Sequence, residues 1–374
     1  MAKQGSRFAR TLVVLVVGGV GGLALGTAAC SGERASGAVE LGPRAFAPQA
    51  LGSLKETVQP RKELNPRLLR RFQPVRPVLV DEAEGPSAAL VDLGRLLYFD
   101  GRLSKNGSLA CNSCHPLDRY GADGAATSLG YSGQRGTRNS PTVYHAAGYF
   151  AQFWDGRAGD VEDQAKDPIL NPIEMGMKDA AQVEQVLRAI PGYVSAFQRA
   201  YPGDKQAVTY AHLAQAIGAF ERGLVTPSRW DTYLKGDTTA LNDEEVEGLR
   251  VFTNLGCMVC HTGEFLGGSM FEKVGAVEPW PNQKDLGRFE VTKDKRDRMV
   301  FKVPTLRNVE KTAPYFHDGS IATLGEAVRM MGKHQLGLDL SAEEVKSIET
   351  WLKSLTGTLP QDYIKAPELP SNAI

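Results

Sequence analysis

Apolar residues recur at helical spacing along most of the chain beyond residue 80. Val183, Val186, Leu187 and Ile190 share one face of a segment that begins at Asp179, and Leu213, Ile217, Phe220 and Leu224 do the same further on, as a 3.6-residue period requires. Ser341 and Glu344 have the spacing of a capping box, opening a helix with Val345, Ile348, Leu352 and Leu355 inward. Alternating strand patterns are scarce, so the prediction is a mainly helical protein. The polar intervals are long and glycine-rich, above all residues 121–136 (GADGAATSLGYSGQRG), and such loops in a compact chain usually carry function.

The amino terminus has a different pattern. Lys3, Arg7 and Arg10 precede an uncharged apolar run from Leu12 to Leu25, and small residues then lead to Cys30. That order is a secretory signal rather than a membrane span. Thr27, Ala28 and Ala29 before Cys30 resemble a bacterial lipoprotein box, which would make Cys30 the lipid-bearing first residue; plain signal cleavage is the alternative. No later stretch is apolar enough to span a bilayer, which places the body of the protein in the periplasm, tethered to a membrane if Cys30 is acylated. Residues 31 to about 60, rich in Gly, Ala, Ser and Pro, read as a tether.

Two segments repeat one design. GRLLYFDGRLSKNGSLACNSCH (94–115) and EGLRVFTNLGCMVCH (247–261) each join an apolar helical stretch through a short loop to C-x-x-C-H. Their separation is too long for a solenoid and suits a duplicated domain. The expected organisation is a signal peptide at 1–29, a tether and lead-in at 30–77, helical domains at 78–226 and 227–360, and a carboxy-terminal tail at 361–374.

Composition narrows the function. The 374 residues are 42% hydrophobic, with 43 basic and 43 acidic side chains, enough apolar material for roughly two domains. The charge balance excludes a broad basic surface, hence nucleic acid as the partner. Cleavage after residue 29 would remove three basic residues and no acid, leaving a mildly acidic mature chain.

Of the five cysteines, Cys30 stands at the expected cleavage point, and the other four lie in CNSCH and CMVCH. Two thiols with two residues between them can capture the two vinyl groups of a haem, and the adjacent histidine can bind its iron. A shared four-cysteine zinc site and redox disulfides are the competing readings. Neither requires a histidine after both second cysteines. The expectation is two covalently bound c-type haems, one on Cys111, Cys114 and His115, the other on Cys257, Cys260 and His261.

The segments TSLGYSGQRGTRNSPT, QFWDGR, DQAKDPILNPIEMG, DLGRFEVT, VFKVPTLRN, TAPYFHDG and MGKHQLG, in this order between about residues 90 and 357, resemble the bacterial di-haem cytochrome c peroxidases. The resemblance implies two cytochrome c-like helical domains, each with one covalent haem, joined across an inter-haem interface. It makes the first haem the low-potential peroxide site, with His115 as proximal ligand, and the second the entry point for electrons, held by His261 and Met331. Glu174 falls at the distal acid–base carboxylate, Gln164 at a distal amide that polarises the peroxide, and Trp154 at the aromatic residue between the haems. Asn139, with the carbonyls of Thr312 and Pro314, falls at a calcium site. The implied activity is reduction of hydrogen peroxide to water with electrons from a small periplasmic donor, a cytochrome c or a cupredoxin; a homodimer is common in the family. The rivals are a related di-haem enzyme that oxidises residues of a partner protein, and a non-catalytic electron carrier.

The chemistry asks for these residue types independently. Cleaving the O–O bond needs a proton moved from one oxygen to the departing one, which a carboxylate of perturbed pKa can do. A neutral amide adds charge stabilisation without taking that proton. Thioether ligation raises the potential of a haem. Met330 is adjacent to Met331, but neighbouring helical positions point about 100° apart, so only one can face an iron. By default each of these residues is a surface or core residue, and His145, His212 and His334 receive no role. One position departs from the family: where a loop histidine caps the peroxidatic iron, this chain has Tyr131. A tyrosinate that ligates and is released on reduction, an open site, and simple packing are the three outcomes.

Overall fold

Helix-forming segments alternate with long glycine-rich loops, and the computed structural model describes residues 64, 66–80 and 85–371 of the chain. The signal sequence, Cys30 and the tether up to residue 63 lie outside the described residues. The α-helices run α1 Pro66–Leu69, α2 Ala88–Tyr98, α3 Cys111–Cys114, α4 Val161–Leu170, α5 Ala180–Arg188, α6 Pro191–Ala200, α7 Tyr210–Glu221, α8 Arg229–Leu234, α9 Asp243–Asn254, α10 Phe289–Thr292, α11 Leu324–Met331, α12 Ala342–Lys353 and α13 Gln361–Ile364. Among the described residues the one sheet is a pair of three-residue strands, β1 Phe271–Lys273 and β2 Val300–Lys302. They pair antiparallel, with Phe271 opposite Lys302 and Lys273 opposite Val300.

The helix starts follow local chemistry. Ser87, Asp160, Asp179, Thr209 and Thr323 each accept a hydrogen bond from a main-chain N–H of the first turn, satisfying a donor the helix itself leaves open. The capping box at Ser341 and Glu344 is formed in both directions. The ends are less legible. Ile190, Leu224 and Leu355 are buried as their spacing predicts, yet each lies beyond the end of its helix. At Ile190 the reason is Pro191, which lacks the N–H needed to continue α5 and instead opens α6.

Two apolar cores lie within one compact unit, residues 58–374. The first gathers Leu93, Leu97 and Tyr98 of α2 with Leu213, Ile217 and Phe220 of α7. The second gathers Leu249 and Phe252 of α9 with Ile348, Trp351 and Leu352 of α12, closed by Trp230 of α8. Both are built on a close crossing of two helices at glycine. A Cβ on Gly94 would run into the carbonyl oxygen of Ala216 in α7, and one on Gly248 into that of Ser347 in α12. The two glycines sit at matching places in the repeated segments, so the duplication extends from the motif to the packing beneath it.

Flanking segments belong to these cores. Leu64 and Phe72 pack into the second core, and Val75 and Leu79 into a smaller cluster with Tyr149 and Phe265. Ile364 of α13 returns to the first core, where the Tyr363 hydroxyl donates to the Phe220 carbonyl at 2.7 Å. Arg307, fully buried, pairs with buried Asp231 at 2.8 Å. Asp231 also accepts the Val75 N–H at 2.7 Å, which fastens the lead-in to the body. Among the described residues no helix is long and apolar enough to cross a membrane.

Candidate functional site

Each C-x-x-C-H motif closes a single helical turn. The His115 N–H donates to the Cys111 carbonyl at 2.9 Å, and the His261 N–H to the Cys257 carbonyl at 3.0 Å. This i to i−4 bond gathers two thiols and the imidazole into one turn. The first turn is held by Asn112, whose Oδ1 accepts the Leu117 N–H at 3.0 Å, and by the Tyr98 hydroxyl, which donates to the His115 carbonyl at 2.9 Å. The second is entered through Gly256 at φ +90, a conformation open to glycine at no steric cost.

The two imidazoles are prepared alike. Nδ1 of His115 is 3.2 Å from the Gly121 carbonyl, and Nδ1 of His261 is 3.1 Å from that of Leu266. A carbonyl can only accept, so Nδ1 carries the proton and Nε2 keeps its lone pair, as a histidine bound to a metal needs. Burial lowers the pKa of both rings and favours the neutral form.

The thiols have the opposite tendency to redox cysteines. Burial pushes Cys111 up to about 12 and Cys257 up to about 11, whereas C-x-x-C oxidoreductases depress the attacking thiol. None of the four is in a disulfide. Among the described residues no three His, Cys, Asp or Glu side chains come together to hold a metal, so the two motifs do not assemble a shared zinc site.

Both motifs open into one cavity of about 1030 Å³. Its walls bring together Cys111, Cys114, His115, Cys257, Cys260 and His261. Glu174, Gln164, Trp154 and Met331 line it, as do Asn139, Thr312 and Pro314. Ile217, Phe252, Val303, Leu324 and Leu352 give it largely apolar sides. Paired thiols, a neutral imidazole beside each pair and apolar walls are the donor set and surroundings a c-type haem requires. The residues fit two such groups.

Glu174 sits on the turn that follows α4. Asn171, the last residue of that turn's entry, accepts the Glu174 N–H on its carbonyl at 3.0 Å and donates from its side-chain amide to Glu174 Oε1 at 2.9 Å. Burial raises the carboxyl pKa above the ordinary value, while the Arg157 charge pulls against the rise. Gln164 lies in the opening turns of α4, one face of which carries Ala165, Pro168 and Ile169 into the same cavity. The indole of Trp154 donates to the Asn139 carbonyl at 2.9 Å. Met331 ends α11 in the cavity lining, whereas Met330 is partly buried against the cluster of Trp280, Met299, Phe301, Ile321 and Ala327.

Tyr131 is not among the cavity-lining residues. A Cβ on Gly176 would collide with its ring, and Lys105 Nζ lies 5.4 Å from the ring centroid. Its N–H donates to the Glu174 carbonyl at 2.8 Å, and a Cβ on Gly130 would strike the Ile173 carbonyl oxygen. The glycine-rich loop therefore lies directly on the turn that carries Glu174. His145 is buried with its Nε2 accepting the Thr226 N–H at 3.1 Å; His334 has Nδ1 3.0 Å from the Glu278 carbonyl. Neither is in the cavity wall. His212 stacks on Tyr201 at 3.8 Å.

Three residues in the wall escaped the sequence reading. Glu221, on the inner face of α7, is pushed up to about 8, first by burial and then by Glu162. Lys302 on β2 and His317 are buried basic groups. The last two lie in VFKVPTLRN and TAPYFHDG, but nothing in one sequence separates a buried basic residue from the common exposed one.

Residues 88–239 match a family model described as di-haem cytochrome c peroxidase. The chain is 44% identical over 300 residues to cytochrome c551 peroxidase of Nitrosomonas europaea, covering 80% of this chain and 88% of that protein. It is 44% identical over 309 residues to the cytochrome c551 peroxidase of Pseudomonas aeruginosa, again covering 80% and 88%. Among solved structures, a MauG-like protein associated with microbial copper homeostasis superposes with a TM-score of 0.70 at 29% identity, covering 82% of this chain and 99% of that one.

Proposed function

The chain belongs to the di-haem cytochrome c peroxidase family, and from that premise we propose that it reduces hydrogen peroxide to water with electrons from a small c-type cytochrome. The observation that carries this reading is the single cavity onto which both Cys-x-x-Cys-His turns, Met331 and the buried acid Glu174 open. When bound, the haems supply the electron storage and transfer that the polypeptide lacks.

The residues divide the remaining work. Cys111 and Cys114 anchor the first haem, with His115 as its ligand; Cys257 and Cys260 anchor the second, with His261 and Met331. Each anchoring turn stands on its own core, and residues 78–226 and 227–360 form the corresponding domains. Glu174, oriented by the Asn171 amide, takes a proton from one peroxide oxygen and returns it to the departing oxygen. Gln164 donates its amide N–H to the substrate, stabilising developing negative charge. Trp154 occupies the path between the two haem sites. Overall two electrons and two protons convert one hydrogen peroxide to two waters.

Asn139, Thr312 and Pro314 hold a calcium ion. The Asn139 amide NH₂ donates to the carbonyls of Ala125 and Ala126 at 3.0 and 3.4 Å, which reserves its Oδ1 as an oxygen ligand. Oxygen donors suit that hard cation, and waters complete so small a ligand set. Tyr131 leaves the peroxide site open; its packing over Gly176 supports this reading. The protein works in the periplasm, with Cys30 as the candidate lipid anchor, and a cupredoxin is the alternative donor. Oxidation of residues on a partner protein is less supported: the MauG-like structure is 29% identical, against 44% for the two peroxidases.

The test is a spectrum of the purified oxidised protein, followed by peroxide with and without a reduced cytochrome. Two haems per chain, a high-spin ferric component and oxidation of the cytochrome by peroxide are expected. Absence of haem, or haem without peroxide turnover, defeats the reading. A wholly low-spin spectrum with activity only after reduction defeats the open site at Tyr131.

A further inference from the structure

An unbroken file of aromatic rings runs through the second core. The His261 ring lies 6.5 Å from that of Phe252 on α9, and Phe252 lies 4.5 Å from Trp351 on α12, both between centroids. Trp351 stands edge-on to Trp230 of α8 at 5.6 Å, and Trp230 stacks on Tyr233 at 5.8 Å with 15° between the planes. Trp230 and Tyr233 are three residues apart on one helix, which brings them to the same face. The file begins at the cavity, which His261 and Phe252 both line. It ends at Tyr233, which is half-buried.

The two indoles in the middle are 0% exposed, and neither Nε1–H has a hydrogen-bond partner. Buried tryptophans ordinarily satisfy that donor. For packing alone the pair is a poor choice, because phenylalanine fills a core without leaving a polar group unmade. For carrying charge it is well suited. An indole that has lost an electron becomes acidic at its N–H, but with no acceptor beside it the proton stays and the ring can take its electron back unchanged. A phenol within reach of water behaves differently: on oxidation it gives up its proton and keeps the unpaired electron as a neutral radical. Tryptophan and tyrosine lose an electron more readily than phenylalanine, so Phe252 serves only as a bridge.

We propose that Phe252, Trp351, Trp230 and Tyr233 form a relay that carries oxidising equivalents from the second haem site to the surface when peroxide arrives without an electron donor, making Tyr233 a site of one-electron oxidation. This rests on the peroxide-reducing reading above and adds a second fate for the electrons that peroxide demands. Converting one hydrogen peroxide to two waters takes two electrons and two protons. Without a cytochrome, the haem pair gives one electron and Tyr233 gives the other, passed inward through Trp230, Trp351 and Phe252. Tyr233 releases its phenolic proton to solvent, and solvent supplies the two protons that complete the waters.

The experiment adds peroxide to the oxidised, haem-loaded chain without a cytochrome, in wild type, Y233F, W230F and W351F. Freeze-quench EPR follows the radical, and peptide mass spectrometry maps the oxidised residues. A tyrosyl radical and oxidation at Tyr233 are expected in wild type. Y233F is expected to lose the tyrosyl signal and to collect oxidation at Trp230. W230F and W351F are expected to lose most of the Tyr233 oxidation while keeping two haems per chain and wild-type turnover with a cytochrome present. Equal Tyr233 oxidation in wild type, W230F and W351F overturns the relay, since peroxide would then reach that ring from solvent. A tyrosyl signal that survives in Y233F overturns it without reference to the tryptophan variants. So does a wild type that consumes peroxide at two haems per chain with Tyr233, Trp230 and Trp351 intact. A chain that takes up no peroxide overturns the peroxidase reading, and the relay with it.

Discussion

The Trp154 indole N–H donates to the main-chain carbonyl of Asn139 at 2.9 Å, and the N–H of the same Asn139 donates to the His317 carbonyl at 2.8 Å. One residue thereby fastens the loop carrying Trp154 to the segment carrying His317. The indole cannot turn without leaving a partly buried carbonyl unsatisfied, at a cost of about 1–3 kcal/mol. Trp154→Phe keeps most of the aromatic surface and removes the donor. We expect full haem content and slower transfer between the haems, read by stopped-flow reoxidation of the reduced protein; unchanged rates would remove Trp154 from the path.

The proton transfer proposed for Glu174 requires its ionised form, and burial raises its pKa above the usual carboxylate value. Peroxide turnover should therefore rise with pH through that elevated value. Glu174→Gln should abolish this acid limb and lower turnover by roughly 10²–10⁴-fold. A variant that keeps both rate and limb shows that another group moves the proton.

The helix crossings at Gly94 and Gly248 leave no room for a methyl group, because the obstructing atoms are main-chain oxygens that no rotamer change can move. Either Gly→Ala substitution should cost at least about 1–3 kcal/mol, despite the better helix propensity of alanine. Gly159 has open space around its Cβ position, and Gly159→Ala should stay within about 0.5 kcal/mol of wild type. Thermal melts of the three variants make the comparison.

Arg307→Met leaves Asp231 as a buried, uncompensated carboxylate. Removing one partner of such a pair costs about 3–5 kcal/mol. Denaturant unfolding should show that loss, together with early proteolysis at residues 72–80, since the Val75 N–H depends on the same carboxylate.

Glu221 is held protonated by burial, with its pKa pushed up to about 8 from 4.5. Between these values the unfolded chain has released a proton that the folded chain keeps. Its contribution is therefore full below pH 4.5 and lost as the pH rises to about 8, at about 1.4 kcal/mol per pH unit. Glu221→Gln should be more heat-stable than wild type at pH 8, with the difference vanishing toward pH 4.5; a pH-independent difference would show that Glu221 ionises normally in the fold.

What the sequence determined by itself was whatever local spacing encodes. The helical class follows from apolar periodicity, helix starts from Asp179 and Ser341, and the pairing of two thiols with an adjacent histidine from two C-x-x-C-H motifs that each span five residues. The matched segments named Glu174, Gln164, Trp154 and Met331, and all four line one cavity. Tertiary structure decided the rest, because it depends on residues far apart in the chain. Which of Met330 and Met331 faces the cavity, and where the Tyr131 ring lies, follow from packing against the cluster around Trp280 and against Gly176. Glu221, Lys302 and His317 belong to residue types that are ordinarily solvated. Their burial, and with it their chemistry, exists only once α7, β2 and the loop after Pro314 close on the same space.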